Sequence, residues 1–272
     1  MAIKLSVWSS YYYEISPEDM VLEFEKHGYR YCELSTEHAD VLMARGDVKT
    51  IGKEFKAFAD EHNVTFLQGH LMLGAKIGSK DCIDTLKQQL DLFVAIGIKA
   101  AVLHVDVFRD NPTMSIEEKR RINTEALIEL TTHIANTDVV ICLENLCEPP
   151  ADSAEELLYF IDTIKSDNLG ICLDTGHLNL TNNRNQKHFI QTAGRHIKAL
   201  HIADNEGESD QHLMPFGCGK VDIRCVIKEL KAIGYDGLYN LEIPNEKWAP
   251  MPIRGYKLEY IQKTFAYLDS TL

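Results

Sequence analysis

Six runs of apolar residues in this chain each end on a side chain that can bind a metal ion. The runs cover residues 64–70, 100–104, 139–144, 169–174, 197–201 and 238–242, and they end on His70, His104, Glu144, Asp174, His201 and Glu242. Each has the apolar character of a parallel strand buried on both faces. A carboxylate or imidazole at the end of such a strand is costly to bury unless it is paired or bound to a metal. Six at the same end of successive strands therefore predict one shared site.

Helical patterns separate these runs. Residues 117–135 carry apolar side chains at helical spacing, Ser153 and Glu156 form a capping box that opens a helix to Lys165, and Asp222 can cap a helix that Gly234 closes. Two earlier strands, residues 3–8 and 29–34, flank a helix over residues 17–27. The sequence therefore predicts eight strands that alternate with eight helices.

Alternation of this kind implies a parallel sheet, and eight βα units in 272 residues imply a single domain, residues 1–272, folded as an α/β (β/α)8 TIM barrel. A doubly wound open sheet is the alternative, but it does not bring six strand ends to one centre so naturally. Active sites of barrels lie at the C-terminal ends of the strands, which is where the six side chains fall.

Composition limits the classes of partner. The chain is 45% apolar, has no apolar run long enough to span a membrane, and contains seven cysteines without a CxxC pair. Residues 1–5 already resemble a strand, so we expect no secretory signal, reduced thiols and a cytoplasmic location. A net charge of −13 argues against nucleic acid. We expect a small-molecule substrate and no membrane partner, and the sequence is compatible with a homo-oligomer.

The chemistry is concentrated at the last four strand ends. Glu144, Asp174, His201 and Glu242 would combine three carboxylates and one imidazole from neighbouring strands. This donor set suits one divalent metal ion, Zn²⁺, Mn²⁺, Co²⁺ or Mg²⁺, and leaves positions open for substrate oxygens.

The sequence motifs around these residues resemble those of the xylose isomerase-like barrel superfamily, which includes sugar isomerases and epimerases and, more distantly, endonuclease IV. They are Leu-Glu-Asn at 143–145, Leu-Asp-Thr-Gly-His at 173–177, and the segment 201–222. In the sugar branch, the resemblance implies that Glu144, Asp174, His201 and Glu242 hold the metal, that the two glutamates also move the substrate proton, and that His177 contacts a substrate oxygen. The epimerases have a further glutamate where this chain has Pro150, and Glu148 is only nearby.

The resemblance also leaves a second enzyme class open. His70, His104, Asp210 and His212, with the five residues above, match the nine positions that hold three zinc ions in endonuclease IV. The surrounding sequence motifs favour the sugar branch. No loop rich in Arg and Lys follows the first three strands, where a protein that binds duplex DNA needs phosphate contacts. We therefore assign these four residues, and Trp8 at the end of the first strand, to substrate binding or to support of the metal ligands.

The predicted activity is a metal-dependent isomerase or epimerase that moves a proton next to a carbonyl of a ketose, keto-acid or keto-cyclitol through an enediolate. Glu144 and Glu242 would act as base and acid. The alternatives are an apurinic/apyrimidinic (AP) endonuclease with three zinc ions and a dehydratase or lyase that uses the same metal site. A non-enzymatic sugar-binding barrel is disfavoured by the full ligand set.

Overall fold

The computed structural model describes residues 3–182 and 184–272 and is a (β/α)8 barrel, as predicted. Eight parallel strands lie in the order β7-β6-β5-β4-β3-β2-β1-β8. A parallel bridge between Ile202 and Leu241 joins the two outer strands, and the Ile202 N–H donates to the Asn240 carbonyl at 2.8 Å. The strands are β1 Lys4–Trp8, β2 Tyr31–Leu34, β3 Thr65–His70, β4 Ala100–Leu103, β5 Val140–Glu144, β6 Leu169–Asp174, β7 Ile197–His201 and β8 Leu238–Leu241.

The described residues form ten α-helices, two more than predicted. They are α1 Pro17–Lys26, α2 Thr36–Met43, α3 Val48–Glu61, α4 Lys80–Ile96, α5 Ile116–His133, α6 Ala154–Ile164, α7 Thr175–Leu180, α8 Gln186–Ala193, α9 Ile223–Ala232 and α10 Met251–Thr271. The additional helices are α2 and α7, which start directly at the ends of β2 and β6. Both are short, so their hydrophobic periodicity was too brief to recognise.

The predicted helix boundaries are accurate to about two residues. Ser153 caps α6 by accepting a hydrogen bond from the Glu156 N–H at 3.3 Å, and Asp222 caps α9 by accepting one from the Cys225 N–H at 2.9 Å. Gly234 follows α9 at φ +73°, a conformation that glycine adopts without strain. Among the described residues, the helices include none with the length and apolar character needed to cross a bilayer.

The parallel strands all end at the C-terminal face of the barrel. Asp174 of β6 is the register partner of His201 of β7, and Trp8 of β1 is the partner of Glu33 of β2. Strand β1 begins at Lys4; Met1 and Ala2, which belonged to the predicted strand-like start, lie outside the described residues. The strand-end side chains therefore share one face of the barrel.

The interior of the barrel has an apolar half and a polar half. Beneath β4 to β7, small side chains pack together: Ala100, Val102, Cys142, Cys172 and Ala199. Strands β8, β1, β2 and β3 instead contribute four fully buried polar side chains: Ser6, Glu33, Gln68 and Asn240. All seven cysteines are free, and Cys142 and Cys172 pack as small apolar residues.

Candidate metal centre

The four predicted metal ligands converge at the C-terminal mouth of the barrel. Glu144, Asp174 and His201 end β5, β6 and β7, and Glu242 directly follows β8. One ligand atom from each lies within 4.8 Å of the other three. His201 Nδ1 is 2.9 Å from Glu242 Oε2 and 3.1 Å from Glu144 Oε2. All four side chains are buried.

Three donor atoms of this cluster are buried without a hydrogen-bond partner. They are His201 Nδ1, Glu242 Oε2 and Asp174 Oδ2. His201 Nδ1 and Glu242 Oε2 are close enough for a hydrogen bond, but their mutual orientation does not have hydrogen-bond geometry. A nitrogen and two oxygens that face one small volume without bonding to each other match the first coordination sphere of a divalent cation. The residues therefore fit the metal that the sequence predicted.

Glu33 orients the imidazole of His201 and was missed by the sequence analysis. Its Oε1 atom lies 3.0 Å from His201 Nε2, so that the ring donates Nε2–H to Glu33 and turns Nδ1 toward the other carboxylates. Gln68 Nε2 also donates to Glu33 Oε1, at 3.1 Å, and Asn240 Nδ2 donates to Oε2. The available signal was a carboxylate inside the otherwise apolar strand Tyr31–Leu34.

Asn145 fixes the position of Asp174. The Asn145 side chain accepts a hydrogen bond from the Asp174 N–H at 2.8 Å and donates one to the Asp174 carbonyl at 2.9 Å. Asp174 Oδ1 caps α7 by accepting from the His177 N–H at 2.5 Å. One carboxylate oxygen is thus used by the backbone, and Oδ2 is left to face Glu144, His201 and Glu242.

His70 and His104 form a second cluster with Glu144. His104 Nε2 lies 3.0 Å from Glu144 Oε2. His70 donates its Nδ1–H to the Leu71 carbonyl at 2.6 Å, which leaves Nε2 as a lone-pair donor 3.5 Å from the same oxygen. The Trp8 ring lies 6.4 Å from that of His70, so all three residues predicted at this side of the mouth are at the site.

His177, Asp210 and His212 form a third cluster. Asp210 Oδ2 is 3.2 Å from His177 Nε2 and 3.0 Å from His212 Nε2. His212 donates Nδ1–H to the Glu242 carbonyl at 3.1 Å, and His177 Nδ1 lies 3.0 Å from Glu144 Oε1. The structure therefore brings together all ten residues that the sequence analysis placed at the site.

The pKa shifts show where charge is compensated. Burial raises the pKa of Glu242, but the charges of His201 and His212 outweigh it and lower the pKa to about 2. Burial lowers the pKa of His212, yet the Asp210 and Glu242 carboxylates raise it to about 10. Burial raises the pKa of Asp174 to about 7, and the neighbouring carboxylates add to that rise. Of the three carboxylates in this cluster, Asp174 is the one whose pKa is raised, and a bound cation would stabilise its ionised form.

Two further sequence features have structural explanations. Cys172 lies near Glu144 and His201, but burial raises the pKa of its thiol well above the usual range, so it is protonated at neutral pH and a poor metal ligand. Gly219 packs against Asp204: a Cβ atom at Gly219 would lie 2.0 Å from Asp204 Oδ1. The glycine allows Asp204 to accept hydrogen bonds from the Asn205 and Val221 N–H groups.

Comparison with known sequences gives a family and two kinds of relative. The model of the xylose isomerase-like TIM barrel family matches residues 21–269. The uncharacterized protein y4fM of Sinorhizobium fredii is 29% identical over 196 residues, which cover 70% of this chain and 60% of that protein. A probable endonuclease 4 of Mycoplasmopsis synoviae is 28% identical over 147 residues, 49% of this chain and 50% of that protein. The matches thus span less than two thirds of either relative.

Solved structures that resemble the chain over nearly its whole length include sugar epimerases. D-psicose 3-epimerase from Clostridium cellulolyticum H10 has a TM-score of 0.81 at 17% identity and covers 98% of this chain and 99% of its own. The 3-keto-D-glucoside 4-epimerase from E. coli has a TM-score of 0.78 at 17% identity and covers 96% and 99%. At these identities the likeness is one of fold.

Proposed function

This chain belongs to the xylose isomerase-like TIM barrel family, and from that premise we propose that it is a divalent-metal-dependent isomerase or epimerase. The substrate is a ketose, keto-acid or keto-cyclitol, and the reaction moves a proton on the carbon next to the carbonyl. The observation that carries the proposal is the convergence of Glu144 and Glu242 on His201, with the unpartnered Asp174 Oδ2 beside them. The epimerase names of two structural neighbours support it.

The two glutamates are placed to act on one substrate. They come from β5 and β8, and the two strands between carry Asp174 and His201. A substrate held over Asp174 and His201 would therefore have a glutamate on each side. The charges of His201 and His212 lower the pKa of Glu242, so its carboxylate is ionised at neutral pH, which is the form that a general base requires. A divalent ion held by the four residues would supply Lewis-acid stabilisation of the enediolate charge.

Hydrogen exchange with solvent tests this function. We expect a ketose turned over in deuterated water with Mn²⁺ to gain deuterium on the carbon next to the carbonyl. The Glu242→Gln variant keeps the size of the side chain and one coordinating oxygen but lacks the base, so the rate should fall by roughly 10²–10⁴. Glu61→Gln is the matched control, because Glu61 is exposed at the end of α3 and lies outside the three clusters. Full activity of Glu242→Gln would refute the acid–base role.

A second function, phosphodiester hydrolysis at a three-metal centre, is favoured by one observation. The clusters of His70, His104 and Glu144, and of His177, Asp210 and His212, each present three ligand atoms within 4.8 Å of one another, in addition to the four-residue cluster. The sequence match to a probable endonuclease 4 agrees with this reading.

Metal content and one substrate separate the two functions. The isomerase proposal predicts about one tightly held metal ion per chain by elemental analysis, whereas a three-metal phosphodiesterase would hold three. The isomerase proposal also predicts that duplex DNA carrying an abasic site is not cleaved at physiological salt, in keeping with the net charge of −13. Three zinc ions together with metal-dependent nicking, lost in Glu144→Gln, would establish the second function instead.

A further inference from the structure

A deep groove leads away from the metal centre between the loops that follow β3 and β4. Its cavity has a volume of about 850 Å³. We call it the side groove; its walls are residues 74–79, residues 104–111 and the first half of α5. This volume lies near the upper end of the range of about 300–1,000 Å³ for small-molecule sites, and one sugar ring fills only a fraction of it.

The side groove opens directly from the candidate active site. His104, His177 and Asp210 line its inner end. His104 Nε2 and His177 Nδ1 each lie 3.0 Å from an oxygen of Glu144. A substrate whose reacting carbon lies beside Glu144 can therefore extend past these two histidines into the groove.

The cations of the side groove are already neutralised. Lys76 pairs with Asp110, and Arg121 pairs with Glu118 and Glu125 at 2.8 and 2.6 Å. Arg109, the third cation of the lining, pairs with Glu148 at 2.9 Å. The lining also contains the carboxylates Asp106, Asp110, Glu125 and Asp210. The four carboxylates of the lining outnumber its three cations, and each cation already has a carboxylate partner, so the groove disfavours a phosphate and suits an uncharged group.

The wall of the groove is aliphatic and its loop is fixed. Val107, Ile122 and Leu146 contribute apolar surface. The loop after β4 is tied to α5 by the buried Asn123, which accepts from the Asp106 N–H and donates to the Asp106 carbonyl, both at 2.9 Å. Aliphatic side chains beside paired polar groups are suited to the C–H and O–H groups of a sugar ring.

We propose that the side groove binds a neutral glycosyl group attached to the reacting sugar. The substrate is then an uncharged keto-sugar glycoside of disaccharide size, and neither a free monosaccharide nor a sugar phosphate. This inference rests on the proposed isomerase or epimerase function and names the substrate class of that site.

Binding of defined sugars tests the proposal. Isothermal titration of the Mn²⁺-loaded protein is carried out with D-fructose, D-fructose 6-phosphate and three neutral ketose disaccharides that carry glucose on O3, O4 or O6 of fructose: turanose, maltulose and isomaltulose. We expect at least one disaccharide to bind about tenfold or more tightly than fructose, since a second ring adds contact area in a preformed groove. The phosphate should give no comparable gain.

A blocking variant locates the effect. Asn111 is exposed and lines the outer part of the groove, so Asn111→Trp should remove the preference for the disaccharide over fructose. Asn136→Trp makes the same change at an exposed position before β5, at the other end of the barrel, and should retain the preference.

Three results would contradict the inference. If fructose binds but no disaccharide binds better, or if Asn111→Trp and Asn136→Trp behave alike, the side groove is not the glycosyl site while the proposed function stands. Tightest binding of D-fructose 6-phosphate would show that the groove takes an anion. Failure of every sugar to bind would overturn this inference and would limit the proposed function to a keto-acid or keto-cyclitol substrate.

Discussion

The imidazole of His201 is held between two sets of carboxylates. Glu144 and Glu242 lie on its Nδ1 side, and Glu33 lies on its Nε2 side at 3.0 Å. A carboxylate that accepts the distal N–H of a metal-binding histidine fixes its tautomer and increases its basicity. At the scale of single residues, Glu33 is therefore the positioning residue for His201.

Replacement of Glu33 by Gln should weaken metal binding while the fold is retained. Removal of such a partner commonly lowers metal affinity by about 10–100-fold. Titration of chelated protein with Zn²⁺ in a competing-indicator assay measures the change. Glu61→Gln, at an exposed position at the end of α3, is the matched control and should bind zinc like the unaltered protein. Equal affinity in the two variants would show that His201 does not depend on Glu33.

At the scale of elements, the long segment between β7 and α9 is anchored to the barrel by Asp204. Asp204 and Leu213 form an antiparallel bridge with N–H···O=C distances of 3.0 and 2.7 Å. The Asp204 carboxylate packs against the Cα atom of Gly219 and accepts from the Val221 N–H at 2.9 Å. The segment carries Asp210 and His212, so their placement depends on this anchor.

Gly219→Ala should displace the Asp204 carboxylate, because the new Cβ atom would lie 2.0–2.3 Å from its atoms. We expect a loss of unfolding free energy of roughly 1–3 kcal/mol, the usual cost of overpacking, measured by urea denaturation. Gly217→Ala is the matched control, since its Cβ atom would meet only the Met214 carbonyl oxygen, at 3.2 Å. Similar stability of the two variants would contradict the anchoring role.

The helix α2 is joined to the turn after β1 through His38. Its Nδ1 atom lies 2.9 Å from Ser9 Oγ, and its Nε2 atom lies 3.3 Å from the Ile15 carbonyl oxygen. Burial lowers the pKa of His38, although the Ile15 carbonyl and nearby carboxylates oppose the shift. The buried ring is therefore neutral in the folded chain at neutral pH.

This shift predicts a specific dependence on pH. The unfolded chain protonates His38 below its ordinary pKa of about 6.5, before the folded chain does, so stability is lost as the pH falls through that value. His38→Gln lacks this titration, and its unfolding free energy should fall less between pH 7 and pH 5 than that of the unaltered protein, both measured with a chelator. Parallel curves for the two proteins would contradict the assignment.

At the scale of the whole molecule, the metal centre lies where the barrel closes. The residues of the four-residue cluster come from the ends of β5 to β8. Strands β7 and β8 are joined by the Ile202–Leu241 bridge. A cation held by all four strands would therefore stabilise the closed barrel, because it binds the folded chain and not the unfolded one.

Asp174→Asn separates the metal from the fold. Asn can still cap α7 through its side-chain oxygen, as Asp174 does for the His177 N–H. It also removes a buried charge whose Oδ2 atom has no partner. In a chelator the variant should be more stable than the unaltered protein, by roughly 1–3 kcal/mol. With Mn²⁺ the order should reverse, as thermal unfolding would record. A variant less stable under both conditions would indicate a purely structural role for Asp174.

The chain's own sequence determined the architecture and much of the site. Near-continuous apolar runs of this length predicted strands buried on both faces, and their alternation with helices predicted the barrel. Since parallel strands end at one face, the terminal residues from His70 to Glu242 could be assigned to one centre. Local caps such as Ser153 and Asp222 were also predictable, because capping depends on residues a few positions apart.

Tertiary structure alone decided which side chains face one another. The contact between Glu33 and His201 joins residues 168 positions apart, and no periodicity in the sequence encodes such a pair. The division of nine of the ten site residues into three clusters and the ion pairs of the side groove depend on distances of a few ångströms between different loops. Periodicity reports which face of an element is buried, whereas coordination and ion pairing depend on the three-dimensional positions of single atoms.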